Sequence, residues 1–241
     1  MQHRPARVVQ NDPLTPTVRR LVVTLDSGPF EHAAGQAVIL EAKDARGESV
    51  RAPYSIASAP HERGEGTFEV AVARDAAGSS RSVTMHGLPA GSPVAVVGPI
   101  GSFVRAGEAL TAPGLFVAAG TGLSPLRAMI ADELARRPDG GPPLVLLFGA
   151  RTADDVLWAD DVARWTKVHP RFRAFVTLSR PEDAWTGLRG HVQAHLGEAA
   201  RAAGPDAFAY VCGPEAMVTE TMSALTLAHL PAARVLRERY G

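Results

Sequence analysis

The run Leu115-Phe-Val-Ala-Ala119, followed at once by Gly120-Thr-Gly-Leu-Ser-Pro125, constrains the fold most. An unbroken apolar run closed by a glycine turn fits a strand buried on both faces of a parallel sheet. The next segment, 126–137, places Leu126, Met129, Ile130 and Leu134 on one side of a helix. Gly120 and Gly122 permit a tight turn and a close backbone approach. Ser124 suits the cap of that helix, and Pro125 its first position, where no N–H is needed. Open amides at a helix start, with the dipole behind them, bind a pyrophosphate. The same turn can equally be a purely structural connection, and its pattern, Gly-x-Gly-x-x-Pro, departs from the usual dinucleotide fingerprint at the last residue.

The alternation continues downstream. Segments 144–148, 173–178 and 208–211 read as buried strands, with helices expected at 159–165, 191–196 and 215–227. Strand and helix in turn imply a parallel α/β sheet. The first hundred residues read differently. Short β-type runs at 7–10, 18–25, 37–41, 54–57, 68–73 and 93–97 are separated by turn clusters such as Asn11-Asp-Pro13 and Asp44–Gly47. Six strands at this spacing suggest a small antiparallel barrel, with one short helix at 80–88. The fold expected is therefore a six-stranded antiparallel Greek-key barrel over residues 1–108, followed by a parallel-sheet nucleotide-binding domain over 109–241.

Composition narrows the function. The 25 Lys and Arg balance the 25 Asp and Glu, so nothing suggests the basic surface that nucleic-acid binding needs. One cysteine, Cys212, permits no internal disulfide and cannot supply the four thiolates of an iron–sulfur cluster. No apolar run reaches membrane-span length, and the N-terminus has no apolar core of signal-peptide length, so the expectation is a cytoplasmic protein without membrane insertion. The histidines are scattered through to His229; His191 and His195 share a helical spacing but lack an evident third ligand, and no metal site is expected.

Three further segments carry chemistry. In Arg51-Ala-Pro-Tyr-Ser55, Pro53 points to a sheet edge. Arg51 offers a planar fork to phosphate, Tyr54 a flat face with a polar end, and Ser55 a hydroxyl that both donates and accepts. An ordinary edge strand would look the same. In Gly78-Ser-Ser-Arg-Ser82 the amides, the hydroxyls of Ser80 and Ser82, and Arg81 make a candidate pyrophosphate cradle at a helix start. Cys212-Gly-Pro-Glu215 ends a strand before a helix, where a cysteine is ordinarily a small buried hydrophobe. The C-terminus reads Glu238-Arg-Tyr240-Gly241.

Taken in order, these motifs resemble the ferredoxin–NADP reductase superfamily across nearly the whole chain. The resemblance implies a flavoprotein that moves a hydride between NAD(P)H and N5 of FAD, and then electrons to a ferredoxin, a flavodoxin or an oxygenase component. It implies that Arg51 holds the flavin phosphate, that Pro53 and Tyr54 lie along the flavin with Tyr54 stacked, and that Ser55 bonds N5. Backbone contacts come from the strand through Val72 and Arg74, and the turn from Gly78 supplies phosphate contacts. Gly120, Thr121, Gly122 and Pro125 would hold the dinucleotide, Cys212, Gly213 and Pro214 would face the nicotinamide, Glu238 would lie near it, and Tyr240 would cover the flavin. Ser179 and Arg180, with no acid before Glu182, favour NADP, with NAD as the alternative. Two other readings stay open: an electron-transfer subunit that turns over only within a larger complex, and a nucleotide-binding module with a degenerate flavin site.

Overall fold

The structure, a computed structural model, describes residues 3–75, 77–227 and 230–240. His229 and Gly241 lie outside them. By backbone contacts the chain divides into two compact units, Met1–Val104 with Arg127–Asp132, and Arg105–Leu126 with Glu133–Gly241.

The first unit holds β1 (Arg4–Thr15), β2 (Val18–Leu25), β3 (Ala37–Lys43), β4 (Ser49–Ser55), β5 (Thr67–Ala73), helix α1 (Ser80–Gly87) and β6 (Pro93–Ile100). Alternate residues of a strand share a face, so Leu21 and Val23, Val38 and Leu40, and Phe68 and Val70 all point into one buried core. The antiparallel order is β4-β3-β6-β1-β2-β5. The two outer strands meet through an Ile56–Val70 bridge and the Ala57 N–H donating to Glu69 O at 2.8 Å, which closes the sheet.

Two strand expectations shift. Asn11-Asp-Pro13, expected as a turn, lies inside β1. The register slips between Val8 and Gln10 and again between Pro13 and Thr15, and these irregularities let the strand carry a proline. The strand expected at 54–57 is instead β4, because 49–55 pairs residue for residue with β3 across the Asp44–Glu48 turn.

The second unit is a parallel sheet in the order β10-β9-β8-β7-β11-β12. Its strands are β7 (Gly114–Ala119), β8 (Leu144–Ala150), β9 (Phe172–Leu178), β10 (Leu188–Arg189), β11 (Phe208–Pro214) and β12 (Val235–Tyr240). Its helices are α2 (Leu123–Arg136), α3 (Ala159–Val168), α4 (Leu196–Ala203) and α5 (Glu215–Leu227). Leu115–Ala118 and Leu144–Phe148 are wholly buried, as central strands covered on both faces must be. The helix expected at 191–196 is a 3₁₀ turn, Val192–His195, leading into α4. The C-terminal segment is a sixth strand, β12, paired with β11. Among the described residues no helix is long and apolar enough to cross a membrane.

Candidate functional site

In the second unit the chain order reverses between β7 and β11, and ligands of open α/β sheets bind at the carboxyl ends of strands at such a switch point. Two segments meet there. Gly120–Gly122 forms a 3₁₀ turn that runs straight into α2. Ser124 is therefore not the cap but the second residue of α2, and Pro125 is the third, still within the first turn, where its missing N–H costs no helical bond. A Cβ on Gly122 would stand 2.2 Å from the carbonyl oxygen of Cys212, so the close approach that this glycine permits is to the strand beside it. Gly120 has φ +54°, a conformation natural to glycine.

β12 brings the C-terminal residues to the same edge. Glu238 lies opposite Cys212 and Tyr240 opposite Pro214. The Tyr240 hydroxyl donates to Ala119 O at 2.8 Å and accepts from Gly122 N–H at 3.1 Å. Tyr240 therefore occupies an amide of the glycine turn. Cys212 is 1% exposed, and burial first, then the neighbouring Glu238 charge, push its thiol pKa far up. It is a neutral thiol, not a nucleophile.

At the ends of the neighbouring strands, Ser179 N–H donates to Ala150 O and Arg180 N–H to Arg151 O, at 3.0 and 2.7 Å. The two arginines thus sit on adjoining strand ends. Arg151 pairs with Asp155 at 3.3 Å, whereas exposed Arg180 makes no ion pair among the described residues.

The residues expected to hold a flavin lie in the first unit. Strand order puts β4 at the sheet edge, so Pro53 leaves no ladder bond unmade on its open side. Tyr54 packs against the barrel core, and burial raises its pKa to about 12, opposed by the charge of Arg81 nearby. Ser55, at the end of β4, lies opposite Ala37. Arg51 is half exposed and its Nε lies 3.5 Å from Glu41, directly across the hairpin. That partner escapes a reading of motifs, yet positions 41 and 51 are equidistant from Arg46 at the turn, a symmetry that would have found it.

α1 begins with Ser79 as its cap, its Oγ accepting the Ser82 N–H at 3.2 Å. Gly78 turns into it with φ +64°. Asp75 accepts from both the amide and the hydroxyl of Ser79 and so braces the turn. Ser82 is buried, and its hydroxyl donates to Ala73 O and accepts from Asp75 N–H, so it ties α1 to the end of β5. Val72 is buried in the core, while Arg74 and Arg81 are exposed. Among the described residues the amides of Ser80 and Arg81 have no partner. Two open amides at a helix start, flanked by Arg81, fit a phosphate group. No group of three or more metal-ligating side chains occurs among the described residues.

Two family models match the chain. Residues 5–104 match the family model described as oxidoreductase FAD-binding domain, and residues 116–223 that described as oxidoreductase NAD-binding domain. Ferredoxin–NADP reductase B of Sorangium cellulosum is 38% identical over 226 residues, covering 89% of this chain and 87% of that protein. This chain belongs to the ferredoxin–NADP reductase family. It is an FAD- and NAD(P)-dependent oxidoreductase. The phenol hydroxylase P5 protein of Acinetobacter pittii is 30% identical over all of this chain and 66% of its own length. One component of the Na(+)-translocating NADH-quinone reductase of Pseudomonas aeruginosa is 29% identical, and the match spans 80% of this chain and 49% of that component. Among solved structures, the cytochrome P450 reductase of Amycolatopsis superposes with a TM-score of 0.85 at 28% identity, over 99% of this chain and 69% of its own.

The neutral thiol of this reductase has a consequence for stability. In the unfolded chain a cysteine ionises near pH 9, whereas folded Cys212 keeps its proton well beyond that. The folded state then binds more protons than the unfolded one, so stability is intact below pH 9 and falls as pH rises. Between pH 9 and 10 the thiol's share of the loss should be about 1 kcal/mol, beside a further share from the tyrosines, which burial also raises from their ordinary value of 10. Urea titrations at these two pH values should show the combined loss in the native chain, and Cys212→Ala should reduce it by about 1 kcal/mol; an equal loss in both would refute the burial argument.

Proposed function

We propose that this reductase takes a hydride from NADPH and delivers single electrons to a separate carrier, either a ferredoxin or flavodoxin or an oxygenase component. Bound FAD supplies the conversion, accepting two electrons at N5 and releasing them one at a time. Arg51, Arg81 and the open amides of Ser80 and Arg81 hold its phosphates, with the backbone of Val72 and Arg74 alongside. Pro53 and Tyr54 bear on its ring, and Ser55 offers N5 a hydrogen bond. For the dinucleotide, the turn Gly120, Thr121, Gly122 and Pro125 supplies the pyrophosphate site. Cys212, Gly213 and Pro214 pack against the nicotinamide, with the Glu238 carboxylate near it.

The observation that carries the NADPH reading is Arg180, exposed and without an ion pair among the described residues beside Ser179. Among the described residues no carboxylate pairs with Arg180 to offset a 2′-phosphate, the neighbouring Asp155 being paired with Arg151. One cysteine cannot supply a four-thiolate cluster, so the proposed acceptor lies outside these 241 residues. Cytoplasmic residence accords with this chemistry. Anaerobic mixing of the yellow protein with NADPH and NADH in parallel tests the reading. Faster bleaching by NADPH, followed by reoxidation on adding ferredoxin or flavodoxin, is expected; preference for NADH or no bleaching would overturn it. A second reading, a polypeptide active only within a larger complex, is favoured by the likeness to a component of the Na(+)-translocating quinone reductase. Bleaching without transfer to any free carrier would select it.

Tyr240 must leave the Gly122 amide before a dinucleotide can take it. Tyr240→Ser frees that amide and removes the bond to Ala119 O. Two such bonds are worth about 1–3 kcal/mol together, so NADP⁺ affinity should rise about 5- to 150-fold. Equilibrium dialysis and the flavin absorption spectrum check this; an unaltered affinity with an unaltered spectrum would remove Tyr240 from the mechanism.

A further inference from the structure

The outer edge of the parallel sheet carries a groove that dinucleotide binding does not use. β9 pairs with β8 along its whole length, but β10 covers only Thr177 and Leu178 on its other side. In a parallel ladder the main-chain groups of alternate residues point to opposite neighbours. Leu144 N–H donates to Arg171 O at 2.9 Å, which fixes the phase: residues 171, 173, 175 and 177 face β8. The N–H groups of Ala174 and Val176 and the carbonyl of Ala174 therefore point outward, where no strand pairs with them among the described residues.

Beside this row of main-chain groups runs an open apolar trough of about 760 Å³. Val156, Val162 and Ala163 form one wall, Ala174 and Val176 the floor, and the Trp185 indole the other wall. The indole is held by its N–H donating to Leu188 O at 2.8 Å. Ala174, Phe175 and Val176 remain half exposed. Natural proteins blunt such edges with proline, bulges or a covering segment; 172–176 has no proline, and its register with β8 is unbroken.

Cations stand on both faces of the lower end. Lys167, in the last turn of α3, lines the trough, and Arg173 is exposed on the opposite face of β9. Neither enters an ion pair among the described residues, whereas Arg137, Arg151, Arg164, Arg171, Arg234 and Arg239 of this unit do. Unpaired main-chain groups call for another main chain, the trough calls for apolar side chains, and the two cations call for carboxylates. A second copy of this chain fits less well, because pairing edge to edge would bring Lys167 and Arg173 of both copies along one short edge.

We propose that β9 and this groove bind an extended acidic segment of another protein, added as a strand, with apolar side chains in the trough and carboxylates against Lys167 and Arg173. The probe is a fluorescein-labelled peptide of alternating valine and threonine ending in two glutamates, added to the full chain and followed by anisotropy and by amide hydrogen exchange. Saturable binding is expected, with exchange at Ala174 and Val176 slowed at least about tenfold. Lys167→Glu should weaken binding about tenfold while leaving NADPH-dependent bleaching unchanged. N-methylation of the peptide at alternate residues, or exchange of its glutamates for lysines, should abolish binding. Absence of saturable binding overturns the proposal, as does binding that leaves those two amides unprotected. So does protection without peptide at high protein concentration, which would identify a second copy as the occupant, and so does undiminished binding of the N-methylated peptide, which would identify a site for apolar acids in general.

Discussion

Gly122→Val should lower flavin reduction by NADPH at least about 100-fold, while the protein stays yellow. The reason is a collision between main-chain atoms. A Cβ at position 122 would lie 2.2 Å from Cys212 O, 2.5 Å from Cys212 C and 2.8 Å from Gly213 N. No flexible side chain stands there to swing aside, so β7 and β11 must part at the edge where the site is built. Overpacking of this kind costs about 1–3 kcal/mol, and misplacing a positioning group by about 1 Å costs on the order of 100-fold in rate. The change also withdraws the Gly122 amide from Tyr240 and from the pyrophosphate proposed to bind there. The FAD-binding domain matches residues 5–104 and contains none of these atoms, so flavin content should persist. Stopped-flow bleaching and flavin stoichiometry measured together decide it: normal rates in the variant would mean that the turn is not the dinucleotide site. Gly120→Ala is the milder companion. Its cost is the positive φ, and its Cβ would come no closer than 3.3 Å to the Tyr240 hydroxyl.

Much of this was legible in the residues. The period of apolar residues changes from two to continuous runs after the first hundred positions, and that change alone separates an antiparallel barrel from a parallel sheet. What failed to show was decided by partners distant in sequence. Asn11-Asp-Pro13 reads locally as a turn, but β2 pairs across it. Ser124 and Pro125 look like a cap and a first helical residue, but the 3₁₀ turn at Gly120–Gly122 starts the coil two residues earlier. Gly122 was legible as a glycine needing a close neighbour, whereas the identity of that neighbour, the Cys212 carbonyl, depends on β7 and β11 being adjacent. Tyr240 offered the same difficulty. The family resemblance implied a ring over the flavin, and only the pairing of β12 with β11 sets its hydroxyl on the glycine turn.

The largest stability effect lies away from the nucleotide, at the opposite end of β7. Glu133, on α2, is 2% exposed, and its Oε1 accepts from Arg137 Nη1 and lies 3.6 Å from Arg171 Nη1. Arg105 completes a group of three guanidiniums around one carboxylate, its Cζ 5.7 Å from the Phe116 ring centre and 5.6 Å from that of Tyr210. Burial pulls the pKa of Arg105 and Arg171 down, yet from so high a starting point that both remain charged. These arginines also hold the segment entering β7: Arg105 donates to the carbonyls of Ala109 and Ala112, and Arg137 to that of Leu110. Glu133→Gln keeps the shape and removes the only negative charge in the group. Breaking a buried pair from one side costs about 3–5 kcal/mol, because the remaining charges stay buried without compensation. At about 2–4 °C per kcal/mol for a chain of this size, the melting temperature should fall by roughly 6–20 °C. Removing Arg137 as well, in Glu133→Gln with Arg137→Met, should recover part of the loss, since one uncompensated cation disappears. Urea unfolding of the two single variants and the double variant completes the cycle. A Glu133→Gln loss below about 1 kcal/mol, or strict additivity of the two changes, would show that the carboxylate is not what balances the three arginines and that the entry to β7 is held by the carbonyl hydrogen bonds alone.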